Sequence, residues 1–150
     1  MESDTAPRDA LVIVGPGRVG RSLAAAAARA GLPTELIGRE RLEDGGAGLS
    51  GRTVLLCVPD GAIADAAARV GALTGSAPPA RIGHVSGATG LEALAPAGAP
   101  SRFSLHPLQT FPGPGTDPSG CPAATAGSDP EAAAAARSLA LALGMEPFAV

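Results

Sequence analysis

The chain has no lysine, no tryptophan and no tyrosine, and each absence removes a class of chemistry. Without lysine there is no Schiff-base nucleophile, no P-loop lysine and no lysine general base; all 11 basic residues are arginine. Without tyrosine, a Tyr/Lys proton-relay pair is impossible. Three phenylalanines are the whole aromatic complement, too few to stack the bases of single-stranded nucleic acid. A net charge of −3 and a pI near 5.3 also argue against a phosphate-backbone binder. Two cysteines, Cys57 and Cys121, lie far apart with no Cys or His at metal spacing. They read as a buried thiol and an incidental one, and no metal site is expected. No apolar run reaches the ~18 residues needed to cross a bilayer. The start, MESDTAPRDA, is acidic and polar and is no signal peptide. The expectation is a soluble cytoplasmic protein with neither nucleic-acid nor membrane partners.

What is present is alanine: 33 of 150 residues, about half of the 45% that are hydrophobic. Such a core must be built from close backbone packing and small side chains. The length suits one domain. After a flexible lead-in over 1–9, residues 10–14 (ALVIV) form a continuous apolar run, the mark of a strand buried on both faces. An Ala-rich helix over 18–30 follows and stops at Gly31. Further strands are predicted over 34–37, 53–58, 81–85, 103–105 and 121–126, the last as an edge strand, and again over 145–150. The segment 39–51 reads as loop with at most a turn of helix, and 62–70 as a helix. Capping boxes at Thr89–Glu92 and Ser128–Glu131 open a brief helix and a longer one to Leu143. The Pro- and Gly-rich stretch 107–122 reads as a loop placed to lie over a site. Alternating strands and helices imply an α/β fold, a doubly wound, mostly parallel sheet with helices on both faces.

Gly15-Pro16-Gly17-Arg18-Val19-Gly20 is G-x-G-x-x-G directly after a buried strand and opening a helix, the context that gives this motif meaning. Gly15 permits the tight turn, Gly17 lets backbone approach a pyrophosphate, and Gly20 allows close helix packing. Free N–H groups and the positive helix end then face an anion. At the end of the second strand, where an NAD site carries Asp or Glu, the chain reads Gly38-Arg39-Glu40-Arg41. Arg39 offers a planar fork to a 2′-phosphate, with Arg41 beside it, so NADP is favoured over NAD. Glu40 keeps the NAD alternative open.

Ligands of open parallel sheets lie beyond the carboxyl ends of the strands. Val58-Pro59-Asp60 is expected against the central ribose and phosphates, with the Asp60 side chain itself better suited to capping a helix. Ser86 and Gly87 fall near the nicotinamide, where Ser86 either bonds the carboxamide or serves as a turn hydroxyl. His84 reads as a buried, satisfied histidine. His106 precedes a proline, so its backbone is restricted. It either meets a substrate oxygen and passes a proton or anchors a loop. Ser86 and His106 are the candidate catalytic residues.

Together LVIVGPGRVGRSLA, LLCVPDGAI, HVSGATG and SLHPLQTF resemble a bacterial Rossmann-like NADP oxidoreductase family whose members add a C-terminal helical domain. That family is related to pyrroline-5-carboxylate reductase and to the 6-phosphogluconate and β-hydroxyacid dehydrogenases. The resemblance spans about residues 10–150 and implies hydride transfer between NADP(H) and a small carbonyl, imine or hydroxy-acid substrate. It also implies a helical substrate domain absent from these residues, so that the chain reads as a fragment, and a homodimer only where that domain is present. The glycine loop, Arg39, Pro59-Asp60 and Ser86-Gly87 match cofactor-contacting positions. The His106-Pro107 pair resembles a segment of prephenate dehydrogenases on the substrate side. A nucleotide-binding sensor or regulatory module without catalysis is the alternative.

Overall fold

A computed structural model describes residues 10–43 and 48–150; the lead-in over 1–9 and part of the 39–51 loop lie outside them. Seven strands form one sheet in the order β2-β1-β3-β4-β5-β6-β7, from β1 (Leu11–Val14), β2 (Thr34–Ile37), β3 (Thr53–Leu56), β4 (Arg81–His84), β5 (Ser101–Pro107), β6 (Pro122–Gly127) and β7 (Glu146–Ala149). The first five strands are mutually parallel. β6 runs antiparallel to β5 and parallel to β7. This is the Rossmann-like, mostly parallel α/β architecture expected from the alternation of strands and helices.

Side chains of each strand alternate between two cores. Leu11, Ile13, Leu55, Phe103 and Leu105 face α1 (Arg18–Arg29) and α4 (Pro130–Ala142). Val12, Val14, Val54, Leu56 and Ile82 face α3 (Ile63–Thr74) and a 3-10 segment, Leu91–Ala97. Alanine does what its abundance implied. Ala27, Ala132, Ala136 and Ala140 are fully buried, bringing the backbones of α1 and α4 close to the sheet. A Cβ on Gly83 would fall within the ring of Phe103, the largest fully buried side chain.

Four expectations need correction. β6 is interior rather than an edge, because β7 pairs along its free side. β5 is seven residues long; its alternation of buried positions with the half-buried Arg102, Ser104 and His106 hides it from a search for continuous apolar runs. Thr89 does not cap a helix: its hydroxyl accepts from Ser86 Oγ, and the segment that starts one residue beyond Gly90 is 3-10. The cap of α4 is Asp129, whose carboxylate accepts from the Ala132 N–H at 2.7 Å, while Ser128 Oγ accepts from the Arg102 N–H. Among the described residues no helix is long and apolar enough to cross a membrane.

Candidate functional site

The carboxyl ends of β1 to β5 share one edge of the sheet, and all candidate residues lie along it. The glycine loop is at its centre. Gly15 has φ +113°, and a Cβ there would overlap the Cys57 carbonyl oxygen, so only glycine fits. A Cβ on Gly20 would overlap the Gly15 carbonyl oxygen, so the first turn of α1 sits directly on the loop. Gly17 differs from both. It is the N-cap of α1, makes no side-chain cap bond, and a Cβ there meets nothing within 4 Å among the described residues. Two glycines are therefore demanded by packing, and the third borders open space at the electropositive helix end. Arg21 Nε donates to the Pro16 carbonyl at 2.6 Å and braces the loop. Arg18 is exposed on the first turn, and Val19 packs against the core.

Beside the loop lies a cavity of about 440 Å³. Pro16 and Gly15 form one wall, Arg39 from α2 (Arg39–Glu43) a second, and Val58 the floor. The last wall is Ala62, Asp65, Ala66 and Arg69, a helical i, i+3, i+4, i+7 stripe. Arg69 escapes sequence reading because α3 shows a stronger apolar stripe (Ile63, Ala67, Val70), which explains the helix without it. Arg41 turns away and pairs with Glu35 at 3.3 Å, and Glu35 also holds Arg52 at 2.7 Å. Pro59 and Asp60 are exposed. Asp60, expected to cap, instead opens the 3-10 turn Asp60–Ala62, and among the described residues its carboxylate caps nothing.

At the other end the polar groups satisfy one another. His84 is fully buried. Its Nδ1 accepts from the Ser86 N–H at 3.1 Å, which leaves Nε2 to donate to the Gly90 carbonyl at 3.3 Å. Burial holds its pKa below the ordinary 6.5, against the opposing pull of the Gly90 carbonyl. Ser86 Oγ accepts from the Ala88 and Thr89 N–H groups, each at 3.1 Å, and donates to Thr89 Oγ1 at 3.0 Å. The His106 ring lies on Gly87, whose missing Cβ is the space it occupies. The structure thus brings Ser86, Gly87 and His106 together across the ends of β4 and β5.

The loop after Pro107 runs back over α1. Ser22 Oγ donates to the Gly113 carbonyl and accepts from the Thr116 N–H, and Asp117 pairs with Arg29 at 3.2 Å. Gln109 is turned to the Asp117 carbonyl. Burial pushes the Cys57 thiol up to about 12 and also raises Cys121, so both stay protonated.

A glycine turn between a buried strand and a helix, at the crevice where strand order reverses, defines the class of Rossmann-like domains. The solved structures agree on that fold. One is a Bacteroides fragilis protein provisionally assigned as an NADP oxidoreductase (TM-score 0.76, 18% identity, covering 95% of this chain and 61% of that one). A second is the arogenate dehydrogenase of Synechocystis (0.69, 21%, 93% and 59%). A third is the prephenate dehydrogenase of Aquifex aeolicus in complex with hydroxyphenyl propionate and NAD+ (0.69, 14%, 99% and 61%). The chain spans about three fifths of the length of these structures. No protein-family model matches it, and no curated protein matches it in sequence.

Proposed function

We propose that this domain binds NADP(H) and forms the cofactor-holding part of an oxidoreductase acting on a small carbonyl, imine or hydroxy-acid compound. One observation carries the reading. Gly15 and Gly20 are fixed by internal packing, while Gly17 has no internal reason to be glycine and faces open space at a helix amino end. A Cβ there would stand where a diphosphate must approach.

The residues present fit such a ligand. Bare amides of the glycine loop hold the diphosphate, and Arg39, with no ion-pair partner among the described residues, faces the 2′-phosphate. When bound, the nicotinamide supplies or accepts the hydride. The loop carrying Ser86 and Gly87 orients the ring end, and the His106 imidazole holds or releases the proton at a substrate oxygen or nitrogen. Further substrate-side residues come from a helical unit outside these residues, as the family resemblance implies. That unit is also where a dimer would form.

Titration with NADPH and NADH tests the reading. Gly17→Ala is expected to cut NADPH affinity at least about tenfold, one charge-assisted hydrogen bond's worth, while costing no more than about 1 kcal/mol of stability, the difference between Gly and Ala at an N-cap. Unaltered affinity in that variant overturns it. The engaged hydroxyl of Ser86 favours a second reading, a nucleotide-binding module without turnover. NADPH oxidation with a carbonyl panel, lost in His106→Ala, would exclude that second reading.

A further inference from the structure

We propose that Arg69 is the second arm of a guanidinium pair which, with Arg39, grips the 2′-phosphate and sets the preference for NADP(H). This rests on the function proposed above. Arg39 opens α2 at the end of β2, and Arg69 projects from the third turn-step of the α3 stripe, so the two approach one cavity from separate elements. Neither has a hydrogen bond or ion pair among the described residues.

That lack of a partner is unusual for Arg69. Asp65 lies one turn before it, the spacing and order at which helical ion pairs form most readily. Both residues line the cavity, yet no bond joins them. By contrast, Arg29, Arg41 and Arg52 all hold carboxylates. A guanidinium that passes over an adjacent carboxylate and borders an open cavity is placed for an incoming anion. Two planar forks from different directions suit a tetrahedral phosphate monoester, which offers oxygens on several sides. Ala62 and Ala66, the two small residues of the stripe, leave the room.

Asp65 and Glu43 also border the cavity and repel a phosphate. Both are exposed, so water and salt screen that repulsion, while the two forks make short directional bonds. The site consequently needs both arginines: one alone would face two carboxylates and a dianion.

Calorimetric titration of 2′,5′-ADP against 5′-AMP isolates the effect, since the two probes differ only in the 2′-phosphate. Wild-type protein is expected to prefer 2′,5′-ADP. Arg69→Gln should weaken 2′,5′-ADP binding about tenfold, as expected for one charged hydrogen bond, while leaving 5′-AMP unchanged. Arg69→Lys should recover part of the loss. If wild type prefers 2′,5′-ADP, Arg39→Ala removes the preference and Arg69→Gln weakens both probes equally or neither, the pair is overturned while the NADP reading stands. If wild type binds both probes equally, the NADP reading itself fails, and the pair with it.

Discussion

The two ends of the carboxyl edge of the sheet are built on opposite principles. At the glycine-loop end, backbone amides and the guanidiniums of Arg39 and Arg69, unpartnered among the described residues, border an open cavity. At the His106 end, nearly every polar group is already bonded: both nitrogens of His84 and every bonding capacity of the Ser86 hydroxyl in its turn. The first end is preorganised to receive an anion with little rearrangement. The second is preorganised to hold one loop conformation, and the half-buried His106 ring has no hydrogen-bond partner among the described residues. In the proposed function, binding and turnover rest on different kinds of structure and can be broken separately.

Gly15→Ala would break the comparison most severely. The substitution adds a Cβ into the Cys57 carbonyl at a backbone angle that alanine avoids. Strain and overpacking together predict a loss of about 3 kcal/mol or more, read from urea denaturation. Gly17→Ala, the same substitution two residues on, should cost far less stability and mainly weaken binding. Equal destabilisation in the two variants would mean that the loop is a structural turn with no vacancy built into it.

Gly87→Ala comes next and addresses the other end. The new Cβ would fall on the His106 ring, which must swing off the β4 loop. Repacking one half-buried ring is expected to cost about 1 kcal/mol. The chain has two histidines, so ring proton resonances report each one cleanly. The expected result is a shift of the His106 signals with those of His84 unmoved. Unmoved His106 signals would show that Gly87 does not position the ring.

How far the sequence spoke follows the same division. The glycine loop was legible because its function is carried by backbone, and glycine spacing is how backbone needs are written. Buried strands such as Leu11–Val14 were legible for a similar reason, since burial on both faces leaves an unbroken apolar run. β5 reads as shorter than it is because an alternating pattern is shared with loops, and β6 reads as an edge because nothing local announces a partner strand beyond it. Arg69 was missed since only the placement of α3 brings its second stripe to the cavity. Arg41 reads as a second arm beside Arg39, yet two residue steps around a short helix place it on Glu35 instead. Ser86 shows the limit most plainly: a hydroxyl near a strand end reads alike whether it faces a ligand or closes a turn.

The smallest effect sharpens the account of the satisfied end. His84 is held neutral by burial, its pKa below 6.5 in the folded chain and ordinary in the unfolded one. Above pH 6.5 both states are neutral and the His84 contribution to stability is complete. As pH falls below 6.5 the unfolded chain takes up a proton that the folded chain resists. Stability then declines until the folded pKa is passed, with a slope bounded by one proton at about 1.4 kcal/mol per pH unit. Protonation at Nδ1 also removes the acceptor of the Ser86 N–H, so the loop carrying Ser86 and Gly87 should loosen over the same interval. Urea midpoints from pH 7.5 to 5 should therefore fall in wild type and flatten in His84→Asn, whose amide oxygen replaces the acceptor without titrating. A slope that persists in His84→Asn would place the titrating group elsewhere, and the loop would owe its order to the Ser86 hydroxyl alone.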